Sequence, residues 1–346
     1  MINLSFKAAV LEQLNKNLKL REIKLKNELK KNQFLIKMKY SGICGSQLGE
    51  ISGVKGRDKY LPHLLGHEGT GIVIEKNALK SKIKIGDKVV LHWKPGSGGE
   101  SQNPDYFFSS KKINAGKVTT FNEYAVVSRN RITKLSNKTN LAQACLLGCS
   151  LTTAYGVLKN NAKIKKNSTL LIYGVGSVGQ AIICLSKIFK LKNVIAIDIN
   201  QNKLKKAKKL GANKTLNPKN KNFKELFKRI ANNAEYAVDT TGNTKVIEDC
   251  YNNLSKNAKI VLVGVPHFKK KISIHTLPLH FGKQLIGSHG GNINPTKDIP
   301  FLEKLMNKKI LKVKNLITNT INLNKINNAI NKMKKNMIVG KVIIKF

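Results

Sequence analysis

Residues 169–179 read Thr-Leu-Leu-Ile-Tyr-Gly-Val-Gly-Ser-Val-Gly, an apolar run that stops on three glycines spaced as Gly174-x-Gly176-x-x-Gly179. A short apolar run bounded by glycine predicts a buried strand, and the segment after the glycines predicts a helix. That context gives the spacing its meaning, because the same glycines inside a loop would carry no information. Gly174 permits a tight turn, Gly176 lets the backbone approach a pyrophosphate, and Gly179 lets the helix pack close on the strand. The phosphates would then sit at a helix N-terminus, where unpaired N–H groups point outward. About twenty residues on, Asp198 ends the next predicted strand. Its carboxylate can accept both hydroxyls of an adenosine ribose and repels a 2′-phosphate, which predicts NAD over NADP.

Outward from this turn, strands alternate with helices from about residue 168. Strands are predicted at 170–173, 194–198, 236–239 and 260–265, with a helix from about Val178 and a lysine-rich helix ending at Leu210. This rhythm predicts an α/β fold with a doubly wound parallel sheet of the Rossmann kind. Up to about residue 150 the texture differs: short apolar stretches such as 71–74, 88–91 and 123–127 are separated by glycine and proline, as in an irregular β domain. The tail from about residue 289 predicts two amphipathic helices and a last strand over 341–346. At 346 residues the chain exceeds what one core usually serves, so two domains are expected.

The formal charge is +44, from 63 Lys and Arg against 19 Asp and Glu. Its direct reading is a nucleic-acid or anionic membrane surface. Two observations oppose that reading. Arginine, which bidentate phosphate recognition favours, occurs only at positions 21, 57, 129, 131 and 229. The lysines are spread along the chain in short runs such as 269–271 and form no single basic arm. Solvated lysine faces account for this pattern, so no specific nucleic-acid partner is expected; net charge alone still gives salt-sensitive adhesion to polyanions. The first residues lack the basic start and apolar run of a secretory signal. Two uncharged stretches, 139–158 and 167–186, approach the length of a membrane span but are broken by polar residues and by the glycine triplet. A soluble cytoplasmic protein without a membrane partner is expected.

Five cysteines, an odd number without regular spacing, oppose a disulfide framework and leave thiol or metal chemistry open. Cys44 lies in Gly-Ile-Cys-Gly-Ser at 42–46, His67 in Gly-His-Glu-Gly at 66–69, and Cys149 in Leu-Gly-Cys-Ser at 147–150. Singly, each has an ordinary reading as a small buried hydrophobe or a satisfied histidine. Together, two thiolates and an imidazole compose an open zinc site with three protein ligands and one exchangeable position. Cys145, Cys184 and Cys250 have apolar neighbours and are expected in the core. His92 and Trp93 either line a substrate pocket or cover it, and His63, His275, His280 and His289 receive no role.

With Gly-Asp-Lys-Val at 86–89, Gly-Cys-x-x-x-Thr at 148–153 and the glycine fingerprint, these segments resemble the medium-chain dehydrogenase/reductase family, specifically its zinc-dependent alcohol dehydrogenases. The order and approximate spacing hold across nearly the whole chain. The resemblance implies a GroES-like, β-rich catalytic domain over residues 1–150 and 289–346, and a Rossmann NAD-binding domain over 151–288. It also implies zinc and nicotinamide in one cleft, and an enzyme that interconverts an alcohol and its aldehyde or ketone by hydride transfer. The zinc set Cys44, His67 and Cys149 follows the same resemblance. So does Ser46 as relay of the alcohol proton, and Glu68 as the carboxylate behind the metal. Thr153 and Val178 would contact the nicotinamide, Asp198 and Lys203 the adenosine ribose, and Lys341 the pyrophosphate. A small-molecule alcohol or carbonyl substrate and a homo-oligomer, dimer or tetramer, are expected.

The departures carry information too. Residues 91–117 occupy the place where many relatives hold a four-cysteine structural zinc lobe, yet contain no cysteine, so one catalytic zinc and no structural zinc is expected. Gln47 stands where relatives place an Asp that partners the ligand histidine, and Gly49 where some place the histidine that ends the proton relay. Cys149, at a position where the polyol branch tends to use a carboxylate, leans toward alcohol dehydrogenase proper. The rival readings are a zinc-less quinone or enoyl reductase of the same superfamily, and a nucleic-acid-binding protein on a dehydrogenase scaffold.

Overall fold

The computed structural model describes residues 2–26 and 28–346. The chain divides into two compact units, one running to Thr152 and resuming over Asn294–Phe346, the other Thr153–Ile293.

The first unit is built on two sheets. One has five strands in the order His63–Leu64, Leu4–Leu11, Lys19–Leu25, Tyr106–Phe108, Lys111–Ile113. The other runs Ile132–Lys134, Lys88–His92, Glu68–Asn77, Gln33–Ile43, Lys341–Lys345, Ile317–Ile321, with Tyr124–Ser128 also paired to Gln33–Ile43. Gln33–Ile43 is buried along most of its length, which suits an apolar run held between neighbours on both edges. The last strand of the chain pairs antiparallel beside it, Val342 opposite Ile43 and Ile343 opposite Gly42. The two tail helices are Pro295–Asn307 and Ile326–Lys334. The second buries Ile326, Ala329 and Ile330, at helical spacing, in a cluster with Ile43, Ile51, Val342 and Ile344. The ends of Gln33–Ile43 and Lys341–Lys345 are thereby fixed to each other, which matters because the candidate residues Cys44 and Lys341 sit there.

The second unit is a six-stranded sheet in the order Lys214–Leu216, Asn193–Ile197, Thr169–Tyr173, Tyr236–Asp239, Lys259–Leu262, Gln284–Gly287, with every pair parallel. Counted along the unit this is the order 3-2-1-4-5-6, whose reversal point lies between Thr169–Tyr173 and Tyr236–Asp239. Leu171, Ile195, Ala237 and Ile260 from the strands meet Phe227, Cys250 and Tyr251 from the helices in one core. The strand predicted over 260–265 stops at Leu262, because Val263 and Gly264 both donate to the Asp239 carbonyl and leave the ladder. Lys214–Leu216 and Gln284–Gly287 have no counterpart in the sequence reading: at three and four residues they are too short to display a period.

Among the described residues no single helix is long and apolar enough to cross a membrane. The uncharged stretches 139–158 and 167–186 fold into short elements whose side chains are largely buried. Cys145 and Cys250 are buried as expected, whereas Cys184 is only half-buried.

Candidate metal centre and cofactor site

Three separate chain reversals deliver the three candidate ligands. Cys44 follows the strand Gln33–Ile43 and caps the helix Gly45–Ile51 in extended conformation. His67 immediately precedes Glu68–Asn77, and Cys149 follows the helical turn Cys145–Gly148. Gly148 is what admits the last of these. A Cβ there would stand 2.5 Å from the Leu91 carbonyl oxygen and 2.7 Å from Glu68 Cβ, so only glycine lets this segment lie against the sheet. The ligand atoms of Cys44, His67 and Cys149 all lie within 4.8 Å of one another. Ligands on one tetrahedral zinc are roughly 3.5–4 Å apart, so the set matches such an ion. His67 Nε2 is buried without a hydrogen-bond partner, which is the signature expected of an atom reserved for a metal.

The charges around the cluster are unevenly shared. Contact with the Cys149 thiol, helped by His67 and Lys341 and opposed by burial, holds the Cys44 pKa well below its usual value. Contact with Cys44, together with burial, pushes the Cys149 thiol well up. Cys44 is therefore the more ready thiolate. Burial opposes charge on His67, but the Cys44 sulfur and the Glu68 and Glu50 carboxylates outweigh it and move its pKa up from the usual value. The ring's other nitrogen is occupied: Gln47 Nε2 lies 2.5 Å from His67 Nδ1.

Behind the ligands, Glu68 and Lys341 form an ion pair with side-chain exposures of 0% and 1%. Burial raises the Glu68 pKa against the pull of Lys341. For Lys341 burial works against the charge, but Glu68 prevails and holds the ammonium protonated well above the usual lysine range. Lys341, the basic residue expected at the pyrophosphate, sets its ammonium against the Glu68 carboxylate within the metal-bearing unit. Ser46 is exposed in the first turn of Gly45–Ile51, two residues after Cys44. His92 is 1% exposed, its Nδ1 donating to the Lys94 carbonyl at 2.7 Å and its Nε2 accepting from Thr133 Oγ1 at 3.0 Å. Both ring nitrogens are thus engaged inside the fold. Trp93 is half-buried with its ring 6.4 Å from that of His67, so of the two it is the one beside the ligands.

Residues 91–117 are held without cysteine. Arg131 bonds the Trp93 carbonyl and Glu100, Ser101 N donates to Ser128 Oγ, and Asn103 donates to the Ala115 carbonyl. Among the described residues Cys44, His67 and Cys149 are the one histidine, cysteine and acid grouping with ligand atoms this close.

In the second unit, Gly174 takes φ +87° directly after Thr169–Tyr173, and the helix Ser177–Ser186 follows. A Cβ on Gly179 would stand 2.2 Å from the Gly174 carbonyl oxygen, whereas one on Gly176 would meet nothing within 4 Å. Gly179 serves helix-on-strand packing, whereas the space beside Gly176 is clear of protein atoms. Asp198 Oδ2 accepts from Val175 N at 2.7 Å and Oδ1 from Asn200 N at 2.8 Å, which aligns the carboxylate with the fingerprint loop. Lys203 lies in the first turn of Gln201–Leu210 and Val178 in that of Ser177–Ser186. Thr153, 5% exposed, lies in the helix Ser150–Gly156. The sequence reading missed Thr240, whose hydroxyl donates to the Gly174 carbonyl at 2.8 Å across the reversal point. The Thr-Thr-Gly that follows the strand Tyr236–Asp239 was the available signal.

Residues 30–137 match the alcohol dehydrogenase GroES-like domain family, and residues 177–308 match the zinc-binding dehydrogenase family. The chain is 30% identical to alcohol dehydrogenase 6 of Peromyscus maniculatus, over 98% of this chain and 97% of that one. It is 28% identical to an S-(hydroxymethyl)glutathione dehydrogenase of Photobacterium damsela subsp. piscicida, over 91% and 93%. Its fold is like that of benzyl alcohol dehydrogenase from Acinetobacter calcoaceticus, with TM-score 0.87, 24% identity and 99% of both chains covered.

Proposed function

The chain belongs to the zinc-dependent medium-chain alcohol dehydrogenases, and from that premise we propose an NAD-linked enzyme that interconverts a small-molecule alcohol and its aldehyde or ketone, with one catalytic metal per chain. The observation that carries the reading is the meeting of Cys44, His67 and Cys149 around a buried, unpartnered His67 Nε2. A zinc held there supplies Lewis acidity toward the alcohol oxygen, and a bound nicotinamide supplies the hydride acceptor. Cys44 and Cys149 give the site two anionic sulfur donors, and the Lys341 ammonium behind Glu68 offsets part of that charge. Ser46 Oγ takes the alcohol proton and passes it toward solvent, which its exposure in the first helical turn allows. Trp93 beside His67 forms an apolar wall that excludes water from the reacting carbon.

On the second unit Gly174, Gly176 and Gly179 hold the pyrophosphate, Asp198 and Lys203 the adenosine ribose, and Thr153 and Val178 the nicotinamide. The assignment of NAD is supported by Asp198, whose fixed carboxylate accepts ribose hydroxyls and opposes a 2′-phosphate. Lys341, its ammonium engaged by Glu68, is the basic residue we place near the pyrophosphate. Metal analysis combined with an NAD-reduction screen over a panel of alcohols tests the reading when repeated on Cys44→Ser. One zinc per chain in the wild type, with metal and turnover both lost in the variant, is expected. Undiminished turnover in the variant rejects the mechanism.

A further inference from the structure

We propose that Gln47 is a positioning residue that places the proton of His67 on the wrong nitrogen for metal binding, so that this centre loads its metal only by breaking a buried hydrogen-bond arrangement. The inference rests on the metal-centre reading above. Gln47 is fully buried, so no bulk water adjusts its contacts. Its Oε1 accepts from the backbone N–H of Cys44 at 2.9 Å. A backbone N–H can only donate, which fixes the direction of the amide. The end that reaches His67 Nδ1 is therefore the Nε2 amide group, itself only a donor. Nδ1 must offer its lone pair, and the ring proton resides on Nε2, the atom left for a metal.

Binding a metal through Nε2 moves the lone pair there and the proton to Nδ1. That proton then faces the amide N–H across the same short contact. Turning the amide over relieves the conflict at His67 but sets its N–H against the N–H of Cys44. Whichever way it points, the amide satisfies only one of two donors. A carboxylate in the same place accepts from both. Metal held by these ligands is accordingly bound more loosely, and lost to a chelator sooner, than metal held by the same ligands backed by an acid.

Gln47→Glu tests this with an isosteric side chain. Zinc dissociation constants are measured on the full chain by chelator competition. The histidine tautomers of the zinc-stripped protein are read by ¹⁵N NMR, with His67 assigned from the spectrum of His67→Gln. Wild type is expected to show His67 as the Nε2–H tautomer. In Gln47→Glu the proton moves to Nδ1, and the zinc dissociation constant falls by about 10- to 100-fold. An Nδ1–H ring in the wild type, or equal dissociation constants in the two proteins, overturns the proposal. Tighter zinc with an unmoved tautomer also overturns it, since added negative charge alone does that. Should the variant not fold, the wild-type tautomer decides. A wild type that takes up no zinc defeats the reading of the site instead, and the tautomer still decides the role of Gln47.

Discussion

Lys341 and Glu68, 273 positions apart, form an ion pair that is almost wholly out of solvent behind the candidate ligands. Breaking such a pair leaves an uncompensated buried charge, which costs more than the pair itself contributes. Lys341→Met is expected to destabilise the chain by about 3–5 kcal/mol in urea unfolding. The double variant Glu68→Gln with Lys341→Met should recover most of that loss. A single variant as stable as wild type would show that the carboxylate is relieved some other way.

His92 gives the protein an acid-sensitive limb. Burial, the larger influence, outweighs the Lys94 carbonyl and pulls its pKa from 6.5 down to about 4. A folded-state pKa below the unfolded value means that between these limits the unfolded chain binds the proton and the folded chain does not. Stability therefore falls as pH drops from about 6.5 toward 4, with a slope of up to about 1.4 kcal/mol per pH unit and a total near 3 kcal/mol. Above pH 7 the contribution is flat. Urea midpoints across pH 4–7 should decline more steeply for wild type than for His92→Asn, and parallel curves would remove His92 as the cause.

Gly179 and Gly176 should separate packing from binding. Gly179→Ala drives a methyl against the Gly174 carbonyl oxygen, so both thermal stability and NADH affinity are expected to fall, stability by about 1–3 kcal/mol. Gly176→Ala meets no protein atom and keeps an extended backbone at φ −76°, so stability should stay within about 0.5 kcal/mol while NADH affinity falls. Fluorescence titration and melting curves on the two variants check the contrast. Unchanged NADH binding in Gly176→Ala would remove the pyrophosphate from that position.

The charge of +44 should bring duplex DNA or heparin to the protein at low salt without sequence preference. Between 50 and 200 mM salt the affinity is expected to drop by about 10³ or more, as for any lysine-rich surface neutralising several phosphates. Filter binding with two unrelated duplexes at both salt concentrations is sufficient. A complex that survives 200 mM salt or distinguishes the duplexes would restore the nucleic-acid reading.

The strand, glycine turn and helix at 169–186 could be read in the sequence because each follows from contacts between near neighbours: apolar runs, a backbone that needs positive φ, and a helix beginning where the glycines end. The tail helices were legible for the same reason, through apolar residues at helical spacing. The short strands Lys214–Leu216 and Gln284–Gly287 were not, since their order depends on the neighbouring strand rather than on any period of their own. His92 and Trp93 are adjacent and equally suggestive in sequence, yet one is buried against Thr133 and the other stands beside His67.

Cys44, His67 and Cys149 could be nominated from their surroundings, and the family followed from the order of the motifs. Tertiary structure alone decided that the three reach one point, through the register of Gln33–Ile43 against Glu68–Asn77 and the close approach that Gly148 permits. It also decided that Lys341 faces a carboxylate, and that the amide of Gln47 turns its donor end toward His67. Local sterics and periodicity act over a few residues and are written in the chain. The direction of a hydrogen bond or the partner of a buried charge depends on atoms brought together from distant segments, and becomes definite only when packing has excluded water from between them.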